Sequence, residues 1–383
     1  MAVATLKKVL EREYVSFFQP MQTEYYADDV TFTDPLTSLS GVTSYQQNVD
    51  MLASRTLLGK VLFKDASIVL HSVTGGTVTG GADPDPDQQQ QQPKKTTIAQ
   101  IQTRWTLRMC LKVLPWQPTA RFTGVSLYDV QPGGSEGVII TGQTDYWDSI
   151  NMVQDDDDDD QDTGRRRAAG TYQKVDKVLA LQDFLQQLQS ENGQAQAAGP
   201  EVPYSLLRRG KGYEIRRYPS YHLATIQYDR RDEGYDLLAT ITKGIQPLAP
   251  AIMEVPTEAE NKTTTTPKRM SWPISYAAPG QSVPPPVPDQ IVEKLQDPLW
   301  GNGCTVTTRP STVVAVGSFS DASVAPVVNK ADTALRHACT RDGITIPATS
   351  ASSVKFAQYD AIFSLGKRRG EVWIDLEEGG HPY

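Results

Sequence analysis

Histidine and cysteine are scarce in this chain, and their scarcity removes whole classes of chemistry. The four histidines (His71, His222, His337, His381) show no metal-like spacing, and the three cysteines (Cys110, Cys304, Cys339) form no CxxC pair. An odd number of widely separated thiols reads as core cysteines in a reducing compartment rather than a disulfide framework or a zinc site. No apolar run approaches the roughly 20 residues that cross a bilayer as a helix. Basic charge is not in surplus either. Of the net −8, Asp155–Asp160 and Asp162 supply seven, so the remainder stands near −1. Nucleic acid is therefore not an expected partner. The catalytic signatures GxSxG, P-loop, HExxH and a helix-opening GxGxxG are all missing. No convergent polar cluster is legible, so neither a catalytic residue nor a metal ligand is expected. Met1-Ala2-Val3-Ala4 runs straight into an amphipathic helix. That leaves a cytoplasmic chain, or one whose leader has been removed.

What the chain does contain is two stretches of regular patterning separated by polar, biased sequence. With 383 residues, 39% of them hydrophobic, it is long enough for two domains with cores of their own. Leu6, Val9, Leu10, Tyr14, Phe17, Phe18 and Met21 follow helical spacing. Tyr25 to Pro35 reads as a turn into a short strand, and Val42, Tyr45, Val49 and Leu52 mark a second helix. Strands are expected over 61–73, 98–109, 121–130 and 138–147. In the second of these, Ala99, Ile101, Thr103, Trp105, Leu107 and Met109 alternate with Gln100, Gln102, Arg104, Thr106 and Arg108, giving one buried and one wet face. Asp28, Asp29 and Asp34 read as turn and cap residues. A cone-shaped unit can host acid–base catalysis when a His/Asp pair lines its pocket, but His71 sits at a strand end beside a low-complexity insert, which disfavours it as a general base.

Two inserts are low in complexity. Gly75 to Lys95, with five consecutive glutamines, reads as a long hairpin loop. The acidic tract, Arg165-Arg166-Arg167 and a Gln/Ala/Gly-rich stretch read as a solvated linker over 154–200, carrying one helix (Val175, Val178, Leu179, Leu185, Leu188). Calcium binding by the tract is not favoured, since the Gly and spaced Glu of a calcium loop are missing.

Beyond the linker, Tyr213 to Tyr218 and Tyr221 to Tyr228 read as two strands broken at Pro219-Ser220, with His222, Ala224, Ile226 and Tyr228 on one face. Tyr235, Leu238, Ile241, Ile245 and Leu248 mark a helix. Val283 to Pro288 is a proline-rich connector. Val324, Val327, Val328, Ala331, Leu335 and Ala338 mark a further helix, and strands are expected over 305–308, 312–319 and 372–376.

Five motifs in collinear order carry a resemblance. They are Tyr213-Glu214-Ile215-Arg216-Arg217-Tyr218-Pro219, Ile252-Met253-Glu254-Val255-Pro256, Met270-Ser271-Trp272-Pro273, Val313 to Ser320, and Arg368-Arg369-Gly370-Glu371-Val372-Trp373. Together they resemble the SOUL family of heme-binding proteins over about 204–378. Glu254 stands where that family usually has Thr, which places a negative charge near the family's proposed pocket. The resemblance implies a distorted β-barrel with two flanking helices over 201–379, and heme or a related tetrapyrrole as ligand. It places the pocket on the helix of Leu238, Ile241 and Ile245, with Lys243 as a propionate partner, Met253 beneath, and His222 as the axial candidate. For each apolar residue, simple packing of helix on sheet is the competing reading.

Trp105-Thr106-Leu107, Leu114-Pro115-Trp116, Gly124 to Tyr128 and Asp145 to Ser149 carry a second resemblance, spanning about 6–152. They are similar to a nuclear-transport-factor-like domain found in plants, algae and cyanobacteria, in some chloroplast proteins ahead of a SOUL domain. It implies an α+β unit over 1–153, a cone-shaped curved antiparallel sheet over helices. The pairing implies a chloroplast setting with peripheral association at thylakoids or plastoglobules as an option. The functional expectation is non-catalytic tetrapyrrole binding. An interaction scaffold with no tetrapyrrole ligand, or an enzyme acting on an apolar small molecule, are the alternatives.

Overall fold

The computed structural model describes residues 2–15, 20–79, 97–152, 172–190, 200–246, 248–257, 267–297, 303–320, 323–359 and 368–377. Phe17, Phe18, His381, the acidic tract with its arginines, most of the glutamine-rich insert and most of the Thr-rich 258–268 loop lie outside these residues. The described chain divides into two compact units, one holding residues up to 152 together with 172–190, the other holding 200–377.

The first unit begins with α1 (Ala2–Tyr14), whose buried Leu6, Val9 and Leu10 follow the expected spacing. The helix stops at Tyr14, and Met21 lies outside it. A mixed sheet follows, in the order β2 (Ser38–Ser40), β1 (Tyr26–Thr33), β8 (Val138–Trp147), β7 (Thr119–Pro132), β6 (Ile101–Leu111), β3 (Phe63–Gly75). Every pair is antiparallel except β1 with β8, which is parallel. Helices α2 (Val42–Leu52) and α3 (Leu57–Leu62) fill the connection from β2 to β3, so the strand expected from Val61 starts two residues later. The short pair β4 (Val78–Thr79) and β5 (Thr97–Ile98) brackets the insert.

A turn of helix, α4 (Asp148–Asn151), and α5 (Lys177–Ser190) complete the unit. The α5 helix, which reads in sequence as part of the linker, packs on β7. Ala180, Phe184 and Leu188 join Trp105, Phe122 and Trp147 in one apolar cluster. The Gln187 side chain accepts the Arg121 amide at 2.7 Å, and Trp116 Nε1 donates to the Leu188 carbonyl at 3.0 Å. On the opposite face of β6, Asp148 of α4 and Tyr172 change the reading of that strand. Arg104 and Thr106, expected on a wet face, are buried. Both Arg104 Nη atoms donate to Asp148 (3.1 and 2.5 Å), while Thr123 and Tyr172 hydroxyls donate to the same carboxylate. A buried guanidinium is tolerable only when paired in this way.

Among the described residues the second unit is one nine-stranded sheet with helices against it. Its strands are β9 (Ser205–Gly210), β10 (Tyr213–Tyr218), β11 (Tyr221–Gln227), β12 (Ala251–Pro256), β13 (Arg269–Tyr276), β14 (Cys304–Arg309), β15 (Thr312–Phe319), β16 (Ser353–Gln358) and β17 (Gly370–Leu376). The order across the sheet is β14-β11-β13-β12-β16-β17-β15-β10-β9. Among the described residues no ladder joins β14 to β9, so the distorted barrel is an open, bent sheet. Among the described residues its α-helices are α6 (Arg231–Ile241), α7 (Asp289–Gln296) and α8 (Ala325–Arg341). The α7 helix directly follows the proline-rich connector and packs on α6.

The connectivity repeats. Strands β10-β11, helix α6 and strands β12-β13 are matched by β14-β15, α8 and β16-β17. Strand β10 pairs with β15, β14 with β11, and β12 with β16, as a two-fold relation between the halves requires. The sheet is covered on both faces at β15, where Val313 to Gly317 are all buried. A Cβ on Gly317 would lie 3.3 Å from Leu335 of α8, so alternation turns Val313 and Ala315 toward that helix and Val314 and Val316 away from it.

Candidate functional sites

On the face of β15 that points away from α8, the SOUL-like motifs converge. Arg216 of β10 and Glu371 of β17 form a buried ion pair, with Nη1 donating at 3.0 Å to Oε1. Glu371 Oε2 accepts from the Tyr359 hydroxyl at 2.7 Å and from Trp373 Nε1 at 3.0 Å. Arg216 also pairs with Glu214 at 2.7 Å and lies 4.3 Å over the Tyr204 ring, while Tyr218 stacks on Trp373 at 5.0 Å. Arg369 bonds Glu201 at 2.6 Å and covers the Tyr359 ring at 3.8 Å. Burial alone would raise the Glu371 carboxyl, but Arg216 and Arg369 outweigh it and hold it below the ordinary carboxylate range. Thus Arg216, Tyr218, Arg369, Glu371 and Trp373, which make the motifs recognisable, form an internally satisfied network that joins three adjacent strands.

The six residues expected to hold a tetrapyrrole fall into two groups. Leu238 and Ile241 on α6 and Met253 on β12 are fully buried. A Cβ on Gly234 of α6 would meet the Met270 side chain at 3.1 Å, so Met270 faces that helix. In register, Met253 pairs with Met270 and Met270 with Ile226, so all three share the α6-covered face. Alternation along β11 puts His222 on that face too; it is 9% exposed, and its Nδ1 lies 3.0 Å from the Thr308 hydroxyl. These four residues belong to the layer between α6 and the sheet.

Lys243 and Ile245 differ. The helix ends at Ile241 rather than continuing through Leu248, and the turn after it contains Gly244 at φ +101°. That leaves Lys243 exposed and Ile245 half-buried beyond the helix end. A residue the sequence did not single out joins them. Lys294 Nζ of α7 donates to the carbonyls of Thr240 and Ile241 (3.1 Å each) and Lys243 (2.7 Å). A cation on these orphan carbonyls opposes the negative end of the helix dipole. The cation at the third carbonyl of a helix end has no periodic signal in sequence.

The first unit holds a cavity of about 250 Å³ between its helices and sheet. Its lining includes Phe32, Tyr45, Trp105, Phe122 and Trp147, and three carboxyls: Glu13, Asp34 and Asp145. A polar network runs along one wall. Tyr45 donates to Gln143 Oε1; Gln143 Nε2 donates to Asp145 at 2.7 Å and to Ser126 Oγ at 3.3 Å. Ser126 Oγ also takes Trp105 Nε1 at 2.9 Å and lies 3.2 Å from the Tyr14 hydroxyl, itself 3.1 Å from that of Tyr128. Desolvation pushes the Asp145 carboxyl up to about 7 and the Tyr14 phenol up to about 12. Glu13 and Asp34 are raised as well, first by burial.

No convergent polar cluster is legible in the sequence, yet the fold makes one here. Its members come from 14, 45, 126, 143 and 145, separations that no local pattern links; the Ser126–Asp145 cross-strand pairing brings the last three together. Asp34 accepts the Leu36 amide at 2.7 Å and the Thr37 amide, the turn role expected of it, and also faces the cavity. His71 does not line it; its Nε2 lies 2.8 Å from Thr106 Oγ1. Among the described residues no group of three or more His, Cys, Asp or Glu side chains is placed to hold a metal ion, and no helix is long and apolar enough to cross a membrane.

Comparison with known proteins agrees with the two resemblances. Residues 199–375 match the family model described as SOUL heme-binding protein, and residues 4–79 match that of an uncharacterized conserved protein, DUF2358. No curated protein matches the chain. Among solved structures, the EcmrR C-terminal domain aligns at 9% identity, covering 45% of this chain and 98% of that one, with a TM-score of 0.30. A hydrolase encoded by lin2189 from Listeria innocua aligns at 8% identity over 47% and 94%, with a TM-score of 0.31. An NTF2-like protein of unknown function from Exiguobacterium sp. 255-15 aligns at 12% identity over 37% and 98%, with a TM-score of 0.22. The C-terminal unit of this chain is a SOUL heme-binding family domain, and it follows an N-terminal α+β unit that carries the DUF2358 match.

Proposed function

We propose that the C-terminal unit binds heme or a related tetrapyrrole reversibly, as a carrier or buffer rather than a catalyst, and that it does so in a chloroplast. The observation that carries this reading is the SOUL family match over 199–375. The residues present fit such a ligand at one place in particular, the C-terminal end of α6. Exposed Lys243 offers a cation for a propionate, and Ile245 offers apolar contact for the macrocycle edge. Leu238, Ile241 and Met253 back that end of the helix without presenting a surface of their own. The Thr308 hydroxyl at Nδ1 orients the His222 ring, and His222 would hold the iron through its other ring nitrogen once α6 moves aside. When bound, the macrocycle would supply the colour and its iron a redox couple; the chain's own residues would neutralise the propionates and exclude water. Plastid residence rests on the joining of the two domains in one chain.

The test is titration of the full-length chain with hemin, followed by the Soret band, beside the variants Lys243→Glu and His222→Ala. The reading expects saturation at one site, and about a tenfold weakening in Lys243→Glu, where a propionate contact becomes a repulsion. A Soret shift in His222→Ala would assign the hold on the iron to His222. Non-saturable response, or identical affinity in Lys243→Glu, would remove this site.

A further inference from the structure

The described lining of the first unit's cavity is rich in rings and acids. Phe32 and Tyr45 stack at 4.9 Å, Tyr26 meets Tyr45 edge-on at 5.8 Å, and Phe122 lies 4.4 Å from Trp147. Among the described lining residues there is no lysine, arginine or histidine to balance Glu13, Asp34 and Asp145.

The three carboxyls are not equivalent. Glu13 is committed to the fold: the Tyr26 hydroxyl donates to it at 2.6 Å and the Gln22 amide at 2.7 Å. Asp34 is committed to its turn. Asp145 is held in place by the neutral Gln143 and Ser126 side chains. The ionisable groups around it are Glu13 and Tyr14 from α1, Tyr26 from β1, Asp34 just after β1, Tyr45 from α2 and Tyr128 from β7. All are acids. Such a carboxyl must either take up a proton or meet a cation, and aromatic faces favour the cation. An anionic ligand would face repulsion from every charged group in the cavity.

We propose that this cavity binds a small organic cation with an apolar body, of the alkyl- or arylammonium class. Its charge sits on Asp145 and its body lies against Tyr45, Trp105 and Trp147. At about 250 Å³, the space is smaller than the roughly 300–1,000 Å³ of drug-sized pockets, which restricts the ligand to compact molecules. The pH dependence follows from the same geometry. Desolvation places the free carboxyl at about 7, and the cation requires its ionised form, so binding strengthens as pH rises through neutrality.

The experiment uses the full-length chain and two probes of one shape, phenyltrimethylammonium and its uncharged carbon isostere tert-butylbenzene, followed by calorimetry and tryptophan emission. The expected result is saturable one-to-one binding of the cation, with the isostere at least about tenfold weaker. Asp145→Asn should weaken the cation at least about tenfold and leave the isostere unchanged. Lowering the pH from 8 to 6 should weaken the cation about tenfold on the wild-type chain, a readout that needs no variant. Equal affinity for the two probes, no saturation by the cation, or a cation affinity independent of pH would overturn the proposal.

Discussion

The half-buried Asp145 carboxyl, which lines the cavity, makes a quantitative demand on stability. Its ordinary value is 3.8, and burial in the cavity wall raises it to about 7 in the folded chain. A carboxyl raised by folding binds its proton more tightly in the native state than in the unfolded one. It therefore costs nothing below pH 3.8, where both states are protonated, and its cost grows as pH rises and levels off above 7. At about 1.4 kcal/mol per unit, the full cost approaches about 4 kcal/mol, and the part that develops between pH 5 and pH 8 is about 2–3 kcal/mol. Replacing Asp145 by Asn keeps the size of the group and removes the titration. The assay is urea unfolding of the full-length wild type and Asp145→Asn at both pH values. Subtracting one from the other cancels every other titrating group, including Glu371 and Asp375, whose lowered values act in the opposite direction. From pH 5 to pH 8 the variant should gain about 2–3 kcal/mol relative to wild type. With a urea slope of about 2 kcal/mol/M, that is about 1 M in midpoint. Parallel pH profiles for the two proteins, or a gain by the wild type, would refute the argument that this carboxyl is desolvated without a cation.

Three further outcomes test the packing. Glu371→Gln leaves Arg216 buried with only part of its compensation and should cost about 3–5 kcal/mol of stability, read by denaturant unfolding. Gly370→Ala places a Cβ about 2.3 Å from the Phe319 ring, so the ring must move; a loss of about 1–3 kcal/mol is expected by the same assay. Lys294→Met removes the cation from three carbonyls at the end of α6 and should cost about 1 kcal/mol, with faster amide exchange at Thr242 and Ile245 than elsewhere in the unit.

Much of the architecture is legible along the chain because its signal is local. Period-two patterning at Arg121 to Val130 and Val138 to Trp147 falls inside β7 and β8, and the helical spacing from Val324 to Ala338 falls on α8. Where neighbours in space intervene, the local signal fails. Arg104 reads as solvent-facing from its alternation, and only the docking of Tyr172 and Asp148 explains its burial. The helix read through Leu248 ends at Ile241, where Lys294 of α7 meets its carbonyls.

The sites divide along the same line. Sequence alone determined the α+β character, most of the long strands and helices, and the motifs that place the second unit among SOUL domains, since each depends on residue type over a short window. Tertiary structure decided what those residues do. It brought Arg216 and Glu371, 155 positions apart, into one buried pair, and it closed the α6 face that Leu238, Ile241 and Met253 were expected to present. It also gathered Tyr14, Tyr45, Ser126 and Asp145 around one cavity. A carboxylate's proton affinity and a side chain's availability depend on groups distant in sequence and near in space, so no reading of local pattern contains them.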